Sequence, residues 1–159
     1  MKPLARGVVA ILCTAVLCCL CGGTVNAAFP EEGYWKSVDD KTGMATAYWL
    51  FTVDGGVLSG FIISYPNMKP DDTCTACSGG AEDWNNKPIT GTAWLQLTER
   101  TAEGIWENGY IIDSKKGAKY KAKVWLEDGN LKMRGYVGFM YSTQTWYRTT
   151  KEQAEAGEF

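Results

Sequence analysis

Ala118-Lys119-Tyr120-Lys121-Ala122-Lys123-Val124-Trp125-Leu126-Glu127 is the stretch that decides the fold. Its residues alternate. Ala118, Tyr120, Ala122, Val124 and Leu126 fall on one face, and Lys119, Lys121, Lys123, Trp125 and Glu127 on the other. A period of two marks a strand, because successive side chains leave a pleated backbone on opposite sides. One face is dry and the other wet. Glu127-Asp128-Gly129-Asn130 follows, and Gly and Asn accept positive φ cheaply, so the chain turns back. Leu131 to Met140 returns with Leu131, Met133, Gly135, Val137 and Phe139 on one face. The two runs form a hairpin.

The same pattern extends outward. A second hairpin surrounds Asp54-Gly55-Gly56, entered by Met44 to Val53 and left by Val57 to Tyr65. Both arms are apolar on both faces, through Trp49, Leu50, Phe51, Val53, Phe61, Ile62 and Ile63. Such arms are either covered on the outside or line a cavity. Further strands are expected at Gly33 to Val38, Gly91 to Thr98, Gly104 to Glu107, Tyr110 to Asp113 and Gln144 to Thr149. Asp39 to Gly43, Glu99 to Glu103 and Ser114 to Gly117 connect them. No ten-residue amphipathic helical window precedes Lys151, and the final KEQAEAGEF reads as a polar frayed tail or a short helix. About eight strands without crossover helices predict an all-β, antiparallel up-and-down barrel, whose closure removes sheet edges. A barrel of that size holds side chains or one small ligand.

Composition narrows the chemistry. The 159 residues hold 7 Trp, 8 Tyr and 5 Phe but no His. That excludes Ser–His–Asp and Cys–His nucleophile pairs and any His-bearing zinc site. Sixteen basic against 18 acidic residues give a net charge of −2, which is no electrostatic footprint for nucleic acid. No cofactor is expected.

Residues 1–27 read as a signal peptide. Lys2 and Arg6 precede the 13-residue uncharged run VVAILCTAVLCCL, which is too short to span a bilayer. Val25-Asn26-Ala27 fits a small-residue cleavage site, with cutting expected after Ala27. An uncleaved anchor is the alternative. Leu12, Leu17, Cys18 and Leu20 precede the leader cysteines, where lipidation needs a small residue. Loss of Lys2 and Arg6 from 16 basic residues leaves 14 against 18 acidic ones, a net −4. The expected organisation is a leader (1–27), a barrel domain (28–150) and a polar C-terminal tail (151–159), in a protein exported to the periplasm or beyond. A membrane barrel would turn Lys119, Lys121 and Lys123 toward lipid, at ~2–4 kcal/mol each near the midplane.

Several motifs, in order, carry a resemblance. Gly33-Tyr34-Trp35-Lys36 is followed by Asp39-Asp40-Lys41-Thr42-Gly43, then Cys74-Thr75-Ala76-Cys77 and Asn86-Lys87-Pro88-Ile89-Thr90-Gly91. Asn108-Gly109-Tyr110-Ile111-Ile112-Asp113, Gly117 and Tyr120 come next. Leu131 to Gly138 and Gln144-Thr145-Trp146-Tyr147-Arg148 end the series. From Gly33 to Arg148 the chain resembles a family of exported bacterial proteins known as domain of unknown function 2147. Ser114 departs from the Pro expected there. The family has no established activity. A more remote likeness is to lipocalins, whose first strand carries Gly-x-Trp and whose last carries an Arg lying over that indole. Gly33, Trp35 and Arg148 stand where such a structural clasp would be, and the resemblance therefore implies a lipocalin-like barrel.

Cys74 and Cys77 remain after leader removal, and an exported pair at this spacing is expected to form a disulfide. No helix signal surrounds them to lower a thiol pKa, and two cysteines without a partner pair make a poor zinc site, so no metal is expected. Glu107 and Asp113 are the acid–base candidates, six residues apart in sequence and therefore ~20 Å apart on a straight strand. A bulge at Asn108-Gly109 would shorten that distance. Asp39 and Asp113 also suit the capping of turns.

The aromatics either fill the barrel or line a pocket. The candidate ligand contacts are Trp35, Trp94, Tyr120 and Trp146, with Arg134 as a planar fork for a ligand carboxylate or phosphate. Arg134 alternates away from Met133 and Gly135, and the sequence leaves open which face is inside. The leading expectation is a non-catalytic binder of a small hydrophobic or amphipathic molecule in the envelope. An envelope interaction module for a glycan or protein partner is the alternative, and an unrecognised enzyme the third. Oligomeric state is not legible.

Overall fold

The structure, a computed structural model, describes residues 29–159; the leader reading lies outside them. The chain forms eight strands: β1 (Gly33–Val38), β2 (Ala45–Asp54), β3 (Val57–Ser64), β4 (Ala93–Ala102), β5 (Ile105–Asp113), β6 (Ala118–Glu127), β7 (Asn130–Val137) and β8 (Met140–Arg148). One helix, α1 (Lys151–Ala156), follows them. Each strand pairs antiparallel with the next and β8 pairs with β1, closing an up-and-down barrel. The expected fold class is the observed one.

The decisive hairpin forms as its alternation requires. Glu127 pairs with Asn130, and Asp128 and Gly129 take φ of 51° and 76° between them. Tyr120, Ala122 and Val124 face inward, and Lys119, Lys121 and Lys123 outward. Other boundaries differ from the expectation. Gly104 to Asp113 contains one strand, because Asn108 (φ 56°) makes a bulge at which pairing with β6 jumps from Trp106 to Gly109. The β7 run stops at Val137, since Gly138 (φ 59°) turns the chain, and β8 begins at Met140 rather than Gln144.

Of the two readings of the C-terminal segment, the short helix is the one observed, and it is part of the fold. Thr150 and Gln153 form a reciprocal capping box at the start of α1. Ala154 is fully buried, its carbonyl accepts from Ser64 Oγ at 2.6 Å, and Tyr48 Oη donates to the Glu158 carbonyl at 2.5 Å. Phe159 meets the Tyr48 ring edge-on at 5.3 Å. The outer face of β2 and β3 is thus covered at its Tyr48 and Ser64 end, while Leu50, Phe61 and Ile63 remain half-buried.

The turns at 55–56, 103–104 and 128–129 lie at one end, here the base. The β3–β4 connection and the shorter β1–β2, β5–β6 and β7–β8 turns lie at the other, the mouth. Large side chains fill the base: Trp35, Phe51, Leu58, Leu97, Trp106, Val124 and Leu131 are buried. Residues 29–32 plug it. Trp35 Nε1 donates to the Glu31 carbonyl at 2.9 Å, and the Val53 amide donates to Glu32 Oε1 at 2.8 Å. Arg148 locks the plug. Its guanidinium lies 4.1 Å from the Trp35 ring centroid and donates to the carbonyls of Glu32 (3.0 Å) and Pro30 (2.5 Å). Gly33 takes φ +108°, and a Cβ there would stand 3.1 Å from Arg148 Nη1. Gly33 therefore suits the clasp through its positive φ and its tight fit against the guanidinium.

Arg148 combines a cation–π contact with two charge-assisted hydrogen bonds at a partly exposed site, so Arg148→Ala should cost about 2–3 kcal/mol in urea unfolding. Arg148→Lys should recover only part of the loss, since one ammonium does not serve both carbonyls and the ring. Two variants as stable as the parent would contradict the clasp.

Candidate functional site

Above the base the interior opens. Trp49 and Trp146 stack at 4.9 Å and 29°, with Phe51 beneath Trp146 at 5.8 Å. These indoles form a floor. Beyond it lies a cavity of about 900 Å³, walled by Ala47, Ile62, Ile89, Ile111 and Met133 and bordered at the mouth by Val137, Met140, Tyr141 and Lys115. Small residues make the room: Ser37, Ala47, Gly135 and Ser142 all face it.

Both floor indoles have their polar edge satisfied. Trp49 Nε1 donates to Ser37 Oγ at 3.3 Å, and Ser37 Oγ donates to the Ala47 carbonyl at 3.0 Å. Trp146 Nε1 donates to Gln144 Oε1 at 3.1 Å. The ring faces thus carry the apolar contact area while the N–H groups are tied to the wall.

The long β3–β4 connection shapes the mouth. Its Thr73, Thr75 and Ala76 line the cavity. Cys74 and Cys77 are disulfide-bonded and buried. Closing so short a loop contributes at most roughly 2 kcal/mol, so the bond stiffens the mouth more than it holds the fold. Tyr65 Oη donates to the Asp72 carboxylate, which also accepts the Lys69 amide at 2.9 Å. These hydrogen bonds, Tyr65 first, hold the Asp72 carboxyl below its ordinary pKa, while burial and then Asp72 push the Tyr65 phenol up. The loop docks on the β5–β6 turn: the Ser78 amide donates to the Gly117 carbonyl at 3.0 Å. Gly117 takes φ +65°, and a Cβ there would lie 1.7 Å from the Ala76 carbonyl oxygen. Only glycine allows this approach. Asp113 shapes the same turn by accepting the Lys115 and Lys116 amides at 3.1 and 3.0 Å.

The candidate ligand contacts separate into two groups. Tyr120 and Trp146 line the cavity. Trp35, Trp94 and Arg134 do not, and for each a physical reason corrects the expectation. Trp35 lies in the base beneath Arg148. Trp94 is the extra residue of a bulge between the Gly60–Leu95 and Phe61–Ala93 pairs, fully buried, its indole donating to the Ile89 carbonyl at 2.5 Å. Arg134 points outward because its neighbours Met133 and Gly135 point in. Its Nε donates to Thr143 Oγ1 at 2.8 Å.

Glu107 and Asp113 are not brought together either. Glu107 is paired with Lys123 on the outer face, while Asp113 sits at the mouth. Trp49, named in the arms read as either covered or cavity-lining, and Met133, on the drawn inner face of the β6–β7 hairpin, line the cavity although neither was among the candidate contacts. The sequence carried no signal for Thr73, Thr75, Ala76 or Ile89, whose place at the mouth depends on distant contacts. Among the described residues no helix is long and apolar enough to cross a membrane.

A family model described as an uncharacterized protein conserved in bacteria (DUF2147) matches residues 33–148. No curated protein matches the chain. A solved structure titled "Protein HP1028 from the human pathogen Helicobacter pylori belongs to the lipocalin family" is similar at 16% identity with a TM-score of 0.64, over 79% of this chain and 86% of that one. The likeness is one of fold: an eight-stranded closed barrel of lipocalin type.

Gly117→Ala separates the docking contact from simple backbone strain when set beside Gly129→Ala, whose φ is +76° but whose Cβ meets nothing within 4 Å. Gly117→Ala should weaken binding of the fluorescent apolar probe anilinonaphthalene sulfonate about five-fold, on the order of 1 kcal/mol, and Gly129→Ala should leave it unchanged. Equal effects of the two variants would contradict the role given to the loop.

Proposed function

The chain belongs to the DUF2147 family, and from that premise and the cavity we propose that it binds a small hydrophobic or amphipathic molecule in the bacterial envelope, without catalysing its conversion. One observation carries the reading: two stacked indoles, Trp49 and Trp146, close an apolar chamber of about 900 Å³ from below while the mouth above stays open. That volume lies within the range of small-molecule sites, whose walls are mostly apolar with a few placed polar groups. Here the apolar part is deep, at Ile62, Ile111, Met133 and the floor, and the polar part is at the rim, at Asp72, Asp113, Lys115 and Lys116. A molecule with one apolar and one polar end matches that gradient.

The non-catalytic reading is supported by how the carboxylates are occupied. Glu107 is held by a lysine outside the barrel, and Asp113 and Asp72 are spent on backbone amides and Tyr65. An exported location, periplasmic or extracellular, is supported by the leader-like residues 1–27 and fits the Cys74–Cys77 disulfide.

Gly135 provides the test. It faces the cavity, and a Cβ there meets nothing within 4 Å. Gly135→Phe should fill the chamber, weaken probe binding at least about ten-fold and leave stability within about 1 kcal/mol of the parent. Native mass spectrometry of protein purified from the periplasm should show a retained small molecule that Gly135→Phe lacks. Unchanged probe affinity in a folded Gly135→Phe protein would overturn the cavity reading.

A further inference from the structure

The outer wall of β6, β7 and β8 carries features that neither folding nor the cavity accounts for. Across β6 and β7, Lys121 stands opposite Tyr136, Lys123 opposite Arg134, and Trp125 opposite Lys132. Directly opposed like charges destabilise a sheet, so the Lys123–Arg134 pair works against the fold. Lys123 is tempered by Glu107, and Lys132 by Glu127 at 3.4 Å and Thr145 Oγ1 at 2.8 Å. Among the described residues, Arg134 and Lys121 have no carboxylate within 4.0 Å.

Arg134 is nevertheless fixed in place. Its Nε donates to Thr143 Oγ1, and its guanidinium lies 4.2 Å from the Tyr141 ring centroid and 5.0 Å from that of Trp125. Among the described residues neither terminal nitrogen has a hydrogen-bond partner. A guanidinium clamped in this way presents two parallel N–H donors without first losing side-chain freedom, the arrangement that binds a carboxylate, sulfate or phosphate with two bonds. Tyr136 and Tyr141 stand beside it, 6.2 Å apart, and Tyr141 is 62% exposed.

We propose that this wall is a docking surface for an acidic glycan. Arg134 takes an anionic substituent of the polymer, Lys121 adds a second cation, and the tyrosines offer flat faces to the sugar rings. A polymer fits better than a single small anion, because the cations are spread along two strands, with residues two apart on one strand separated by ~7 Å. Nucleic acid fits less well, since among the described residues Arg134 and Lys121 are the cations paired across β6 and β7 without a carboxylate partner, fewer than the several phosphate contacts on which such binding rests. The charged part of the surface is separate from the cavity, since Met133 and Gly135 face inward and Arg134 between them faces out, while Tyr141 also borders the mouth.

Calorimetric titration of the full protein with dextran sulfate, with neutral dextran of equal length and with single-stranded DNA tests the proposal. Dextran sulfate should bind, with affinity falling as salt rises, and neutral dextran should not. Arg134→Gln should weaken dextran sulfate binding at least ten-fold. Arg134→Lys should fail to restore it, because the charge returns without the fork, and the exposed Lys121→Gln should give a smaller loss. Binding of the uncharged apolar probe N-phenyl-1-naphthylamine should stay unchanged in Lys121→Gln and Arg134→Gln, which separates failure of the wall from failure of the cavity. No dextran sulfate binding, or equal binding by parent and Lys121→Gln and Arg134→Gln, would overturn the proposal. Single-stranded DNA binding as tightly as dextran sulfate would overturn the assignment to a glycan.

Discussion

The seam between β1 and β8 is the contact on which the rest of the molecule depends. It is short: Trp35 pairs with Arg148, Lys36 with Tyr147 and Ser37 with Trp146. Without it both strands would be open edges with unpaired backbone groups, and the sheet would enclose nothing. The join brings together the two ends of the domain, so it bears a loop-closure cost that local hairpins avoid. The Arg148 clasp offsets that cost at the base, where one guanidinium holds the Trp35 ring and two plug carbonyls at once. The same seam carries the site, since Ser37 supports Trp49 and Trp146 is half of the floor.

Closure creates an interior, and side-chain volume divides it. Toward the base, Trp35, Phe51 and Trp106 leave no room. Toward the mouth, Ala47, Ser37, Gly135 and Ser142 leave a chamber. The two readings of the aromatics, filling the barrel or lining a pocket, are therefore both correct at different depths. The Trp49–Trp146 layer is where one gives way to the other. The outer surface follows its own logic, with the C-terminal segment seated on Tyr48 and Ser64 of β2 and β3 while β6 to β8 remain cationic and aromatic.

Much of this was legible in the sequence because a period of two requires only local information. The β6–β7 hairpin and its inward face could be drawn from Ala118 to Phe139, and closure followed from the absence of crossover helices. Legibility ended where geometry depends on residues far apart. Asn108-Gly109 reads as a break between strands or a bulge, and unbroken pairing with β4 carries the strand through while pairing with β6 slips. Thr150 and Gln153 carried the signal for a capped helix, while its seat on Tyr48 and Ser64 was invisible. Among the candidate contacts, Tyr120 and Trp146 followed from inward parity. Arg134 was read as a candidate anion fork, and only the strand register shows that it faces outward.

Fluorine NMR of protein labelled with fluorotryptophan reads the division of the barrel directly, with the seven indoles assigned by single Trp→Phe replacements. On addition of anilinonaphthalene sulfonate, the signals of Trp49 and Trp146 should move while those of Trp35 and Trp106 stay in place. Movement of Trp35 and Trp106, or stillness of both floor indoles, would contradict a barrel filled below and open above.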